Sequence, residues 1–243
     1  DVGKTLPAWR YSCIRKVLIS SSFMVFTYFV PMDKEKPVVP PLQTIPAEEL
    51  EALMRVLNYF YPVSEGAAAF IATRLSKSSF PKDSMVLNAG DMCDHIFFIL
   101  KGATRGYIRE GKKEITTWIT VNGEMVTSIY SLDLNEPATE NIQAIEDCEM
   151  LMLHYEDLNE MYEKFPEFNI VIRKLLQVYY REAEGRAFIA RLTKAENKYH
   201  WFLEKSSHLA NRIQLKYIAS YLGIALETLS RVRRKKGIDS KKQ

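Results

Sequence analysis

The chain has 243 residues, 47% of them hydrophobic, and sets 33 Lys/Arg against 30 Asp/Glu for a net charge of +3. That length and apolar share exclude a disordered polar chain and leave room for two domains of ordinary size. Its three cysteines, Cys13, Cys93 and Cys148, are odd in number and far apart, so they support neither a disulfide framework nor a Cys-rich metal site and suit a reducing cytoplasm. Distribution says more than the total. Residues 45–160 hold 9 Lys/Arg against 19 Asp/Glu, whereas residues 212–243 hold 9 against 2. An acidic body joined to a basic end points to one part for nucleic acid and another for a different task.

Residues 1–44 carry Arg10, Arg15 and Lys16 ahead of a largely apolar run over 17–30, broken by Ser20, Ser21, Ser22 and Thr27. The pattern has the charge and apolar core of a signal peptide. It lacks a small-residue cleavage site and is shorter than the roughly 20 apolar residues that span a bilayer. We expect an N-terminal extension, disordered or translated from ahead of the true start, and no membrane partner.

From residue 45 the texture is regular. Leu50, Leu53, Met54 and Leu57 predict a helix over 46–59, and Ser64 is a candidate N-cap for a second over 65–76. Short β-rich runs follow at 84–88, 95–100, 104–108, 114–120, 142–145 and 149–155, separated by turn signals such as Lys101-Gly102 and Asn122-Gly123. Their spacing predicts a small antiparallel barrel or jelly roll. A short helix is expected over 156–164 and a long one over 166–192. On the long helix Phe168, Val171, Leu175, Val178, Ile189 and Leu192 fall on 3- and 4-residue steps, which suits packing on the barrel or a two-stranded coiled coil. Thr193 and Glu196 form a capping-box pattern for a helix running to about residue 205.

Residues 215–234 read LKYIASYLGIALETLSRVRR. Two short amphipathic helices fit this stretch, with Ile218, Ala219 and Leu222 facing Leu229 and Val232 and with Gly223 at the bend. Glycine accepts the positive φ such a bend needs. The outer face of the second helix then carries Glu227, Thr228, Ser230, Arg231, Arg233 and Arg234, with Lys235 following. A helix-turn-helix presents such a surface to a major groove, its polar side chains on base edges and its arginines on guanine or phosphate.

The stretches GDMCDHIFFILKG (residues 90–102) and YLGIALETLSRVRRK, with the Gly123-Glu124 pair and the long helix, resemble the Crp/Fnr superfamily of bacterial transcription regulators. The second stretch is similar to the form YLGI-x-x-ETLSR-[IV]-R of Bacteroidetes-type members. The resemblance covers residues 45–237. It implies an α+β fold: a jelly-roll sensor barrel over 45–165, a dimerisation helix over 166–192 and a winged helix-turn-helix domain over 193–243. It implies a homodimer that pairs through Phe168, Val171, Leu175, Val178 and Ile189 and binds a palindromic site on double-stranded DNA. RNA polymerase and a small-molecule effector are further expected partners, the location is cytoplasmic, and no enzyme activity, cofactor or metal is expected. Glu227 and Arg231 stand where the family's base-reading Glu and Arg stand. Leu226 replaces an arginine found in enterobacterial members, and Ala225 replaces the usual Ser/Thr cap.

In members that bind cyclic nucleotide, the Gly-Glu pair holds the ribose and an arginine about a dozen residues later pairs with the phosphate. Gly123 and Glu124 keep the first part. No Lys or Arg occurs between Met125 and Glu149, and Glu136 and Glu140 stand where positive charge is expected. We therefore expect a pocket at Gly123, Glu124 and Glu140 that does not answer to cyclic AMP. Other readings are weaker. A cupin-like metal enzyme needs clustered histidines, and His95, His154, His200 and His208 are scattered in sequence. Cys93 and His95 form a poor ligand pair. A cyclic-nucleotide-type module acting through protein contacts remains the alternative, and the basic second helix argues against it.

Overall fold

The computed structural model describes residues 45–235, so the expectations for 1–44 and Cys13 lie outside the described residues. Helix α1 (Ala47–Phe60) turns Leu53 and Leu57 inward as its spacing requires, and α2 (Glu65–Arg74) is capped by Ser64, whose Oγ accepts from Ala67 N at 3.3 Å. α2 stops earlier than its pattern suggests. Leu75 is extended and Ser76–Phe80 forms β1, which pairs antiparallel with the distant β8 (Cys148–His154). A partner roughly 70 residues away leaves no local signature in SKSSF.

Two four-stranded antiparallel sheets face each other in the order β1-β8-β3-β6 and β2-β7-β4-β5. The remaining strands are β2 (Met85–Leu87), β3 (His95–Lys101), β4 (Ala103–Glu110), β5 (Lys113–Val121), β6 (Met125–Val126) and β7 (Asn141–Ala144). Between the sheets lie Phe97, Ile99, Val126, Ile142, Cys148 and Met150. Cys93 and Cys148 are buried free thiols. One short helix, α3 (Ile129–Leu134), follows β6 and escapes periodicity because six residues are too few to show it. Helix α4 (Tyr155–Lys164) is capped by His154, and α5 (Pro166–Arg191) begins with proline in its first turn.

Two glycines fix the barrel's shape. Gly102 has φ +103°, and a Cβ there would meet Asp147 O and Cys148 Sγ at 2.6 Å. Gly102→Ala is expected to cost about 1–3 kcal/mol from backbone strain alone, read as a lowered urea midpoint; an unchanged midpoint would mean the turn relaxes freely. Gly106 is overlaid by Trp118, whose ring would lie 2.1 Å from an added Cβ.

Helix α5 is continuous through Gly185, where the ring of Trp201 fills the place of a side chain. It buries Phe168 and Val171 against α1, α4 and the barrel, and Ile189 against the C-terminal helices, and Leu175 is buried as well. These four residues are buried within their own chain and Val178 is half-buried. Apolar 3–4 spacing is the same signal for packing on the barrel and for a two-stranded seam, and within the single chain these residues take the first.

The C-terminal part comprises α6 (Ala195–Ser206), a 3-10 turn (Ser207–Leu209), α7 (Leu215–Leu222) and α8 (Leu226–Lys235). Lys194 is the N-cap of α6 and makes no side-chain cap bond, so the Thr193/Glu196 capping box does not set this start. Gly223 takes φ +63°, and the buried Lys198 Nζ donates to Leu222 O at 2.9 Å, supplying a partner for a terminal carbonyl of α7. Leu222, Leu229 and Val232 pack with Tyr199, Phe202 and Ile218. Strands of a wing after α8 would fall beyond the described residues, and none occurs among residues 192–235.

These helices seat directly on the barrel. Ser220 Oγ accepts from Thr116 N at 2.9 Å and donates to Glu114 O at 3.1 Å, completing an edge of β5. Arg212 donates to Glu146 Oε2 at 2.7 Å, Asn122 Oδ1 at 2.6 Å and Gly102 O at 2.8 Å. Arg105, only 4% exposed, stacks between Tyr107 and Tyr217 at 4.2 and 4.4 Å and is neutralised by Glu114.

Candidate functional site

Two features stand out: a cleft beside the barrel and the outer face of α8. The cleft has a volume of about 850 Å³ and runs between the barrel, α3 and α5. Its lining is mostly apolar, including Phe98, Leu151 and Leu153, and also holds Trp118, Tyr179, Trp201 and Tyr221. A size of this order and a mostly apolar lining with a few polar groups suit a small ligand.

The Gly123-Glu124 turn contributes Glu124 to this lining. Gly123 takes φ +87° and its N–H donates to Ile99 O at 2.8 Å, which turns the chain so that Glu124 faces inward. Glu124 Oε2 accepts from Val121 N at 2.8 Å, and Glu124 N donates to Val121 O at 3.2 Å. Burial, with the nearby Glu182 carboxylate adding to it, pushes the Glu124 carboxyl up to about 7. Glu140 accepts from Trp118 Nε1 at 2.8 Å, and burial raises its carboxyl as well. Of the expected pocket residues, Glu124 lines the cleft, Gly123 forms the turn that carries it, and Glu140 is bonded to the lining residue Trp118. Glu136, by contrast, accepts from Tyr130 OH at 2.8 Å.

Sequence reading missed what α5 brings to the same place. Tyr179 OH accepts from Met125 N at 2.8 Å, tying the helix to the strand after Glu124. Glu182 stands at the rim, its carboxyl also raised by burial, and Arg186 acts electrostatically on Glu140, Glu182 and Tyr221. These residues lie more than 50 positions from Glu124, on a helix whose polar positions read as solvent-facing. No local signal marks them.

His95 and His154, scattered in sequence, are cross-strand partners with ring centroids 5.0 Å apart, and Asp94 Oδ1 lies 2.5 Å from His95 Nδ1. His154 Nδ1 accepts from Glu156 N at 3.2 Å as the cap of α4, so its proton sits on Nε2, facing Asp94. That tautomer leaves no lone pair for a metal. Among the described residues no three ligating side chains gather on one point. Cys93, which hydrogen-bonds His95 O and Thr127 Oγ1, is likewise part of the packing.

On α8, Glu227, Arg231, Arg234 and Lys235 are exposed and Thr228 and Ser230 are half-buried, while Leu229 and Val232 are inward. Arg233 differs from its neighbours. It donates to Ala210 O at 2.7 Å and Asn211 Oδ1 at 3.3 Å, bracing α8 against the preceding turn. Sequence counted it with the outward arginines because its position is adjacent to both faces.

The outer side of α5 presents a second, exposed stripe: Asn169, Arg173, Leu176, Tyr180, Ala183 and Ala187, spaced alternately by four and three residues. Leu176 is 49% exposed and Tyr180 66%. Among the described residues no helix is long and apolar enough to cross a membrane.

Residues 77–165 match the cyclic nucleotide-binding domain family. No curated protein matches the sequence significantly. Among solved structures the chain is similar to FixK2 from Bradyrhizobium japonicum at 17% identity and TM-score 0.61, over 68% of this chain and 86% of that one. CooA from Carboxydothermus hydrogenoformans, a mutant form, gives 19%, 0.60, 76% and 85% in the same terms. A putative transcriptional regulator of the Crp/Fnr family from Eubacterium rectale gives 16%, 0.56, 74% and 88%. Identities this low speak for the fold, and the family match speaks for the barrel. Residues 77–165 thus resemble a cyclic nucleotide-binding domain, and the chain shares its antiparallel-sheet and helix fold with solved structures that include a putative Crp/Fnr-family regulator.

Proposed function

We propose that the chain is a DNA-binding transcription regulator of the Crp/Fnr type: a sensor barrel over 45–165, a pairing helix over 166–192 and a helix-turn-helix domain over 193–243. The observation that carries this is the division of α8 into an inner face of Leu229 and Val232 and an outer face of Glu227, Arg231, Arg234 and Lys235. Such a helix offers an acceptor and guanidinium groups to base edges and further cations to phosphate. Duplexes selected from a randomised library and followed by fluorescence anisotropy test it. Arg231→Ala is expected to cost about 1–3 kcal/mol on the selected site and to relax preference at one base pair. Lys235→Ala is expected to weaken all duplexes alike and to lower the salt slope by about one. Unchanged affinity and preference in Arg231→Ala would remove the assigned face.

The regulator acts as a homodimer paired through the exposed stripe of α5 at Leu176 and Tyr180, where 3–4 spacing and small residues at 183 and 187 suit a two-stranded seam. Half-sites then lie about one helical turn apart, roughly 34–36 Å. Cyclic AMP is not its signal. A partly buried phosphate needs a paired cation or several donors, and residues 125–149 supply neither lysine nor arginine.

A further inference from the structure

We propose that the cleft between the barrel and α5 is a receptor site for an organic cation with an apolar body, its charge held by Glu124 and Glu182 against the rings of Trp201 and Tyr221. This rests on the reading of the barrel as a ligand sensor and names the chemistry of what it senses. The argument begins with shape. The cleft's wall of Phe98, Leu151 and Leu153 excludes a fully polar occupant and offers room for a hydrocarbon portion. Four aromatic side chains, Trp118, Tyr179, Trp201 and Tyr221, also line it. Trp201 lies over Gly185 on the same turn of α5 as Glu182 and Arg186. Trp118 lies over Gly106 and is held there by Glu140. Aromatic faces grouped with carboxylates are the standard means of holding an ammonium group stripped of water.

Charge decides the sign. Glu124 faces the cleft from the barrel and Glu182 from α5, with Glu140 behind Trp118. Arg186 acts on Glu140 and Glu182, and Arg181 acts on Glu182 from an exposed position. Arg212, the cation nearest Glu124 in effect, is engaged with Glu146. Asp133, Lys205 and His208 stand exposed around the mouth. An anion entering the cleft meets the carboxyls of Glu124 and Glu182, with Glu140 behind Trp118 and with Arg181 and Arg186 beside Glu182. A cation relieves their mutual repulsion and takes the place of the proton that burial holds on Glu124.

The test uses the purified full chain and benzyltrimethylammonium as probe, with phenylacetate, benzyl alcohol and cyclic AMP as anionic and neutral comparisons. Quenching of Trp118 and Trp201 fluorescence and calorimetry are the readouts. Saturable binding of the ammonium is expected, about tenfold tighter at pH 8 than at pH 6 and with proton release, because Glu124 must ionise. Glu124→Gln is expected to weaken it at least tenfold. Glu182→Gln, at the exposed rim where folding is not at stake, is expected to weaken it several-fold. The proposal is overturned if the ammonium does not bind, if phenylacetate or cyclic AMP binds as tightly, or if both glutamine variants bind like the parent. A gel shift on the same preparation separates the two readings. Cation binding without DNA binding removes the regulator, and DNA binding without cation binding removes only this site.

Discussion

Replacing Leu176 and Tyr180 together by glutamate is expected to convert a dimer into a monomer and to weaken binding to a palindromic duplex by about 10²–10⁴-fold. In a two-fold pair the same residues of each copy face one another, so each substitution sets a carboxylate against its own symmetry mate and removes apolar contact. The loss on DNA follows from arithmetic. Two linked half-site contacts bind as one bivalent event, and a monomer keeps only one of them. Folding should be little affected, because Leu176 and Tyr180 are 49% and 66% exposed. Sedimentation and the urea midpoint check the two halves. A double variant that still sediments as the parent does would move the seam off this stripe. The contrast is Phe168→Ala, which opens a cavity in the core formed with α1 and α4. It is expected to cost about 3–5 kcal/mol in stability.

Glu124→Gln is expected to stabilise the protein at pH 8 and to leave it little changed near pH 4.5. The unfolded carboxyl titrates near 4.5 and burial lifts the folded one to about 7. Between those values the folded state holds the additional proton. This group's contribution is therefore most favourable below the unfolded value, falls as pH rises through the window, and is flat above about 7. At 1.36 kcal/mol for each pKa step the fall amounts to about 3 kcal/mol. Glutamine keeps an acceptor for Val121 N and removes the ionisation. Urea denaturation at pH 5 and pH 8 measures it: a parent-to-variant difference that stays constant over this range would place Glu124 in water rather than in the protein. If the cleft takes a cation, the same carboxylate is a stability cost retained for binding.

The two C-terminal helices were legible because their information is local. Gly223 marks the bend, Ile218, Ala219, Leu222, Leu229 and Val232 mark the facing sides, and the charges of Glu227, Arg231 and Arg234 fall outside by helical geometry alone. The longer barrel strands were legible for the same reason, since each is a β-rich run of seven to nine residues bounded by turn signals. The Gly123-Glu124 turn and the lack of Lys or Arg over 125–149 are both visible in the letters, and of these residues Glu124 lines the cleft. The sequence by itself thus determined the longer elements, their order and the outward chemistry of α8.

Tertiary structure decided which of two stripes on α5 is buried. Both have the 3–4 spacing, and only the barrel's position turns Phe168, Val171 and Leu175 inward and Leu176 and Tyr180 outward. It also decided the short strand Ser76–Phe80, whose hydrogen bonds go to β8, and the bracing role of Arg233. Above all it decided the polar end of the cleft, where Tyr179, Glu182 and Arg186 meet Glu124 and Trp118 across more than 50 residues of chain. Burial, pairing and electrostatic environment depend on neighbours brought by the fold, and a side chain's letter carries none of them.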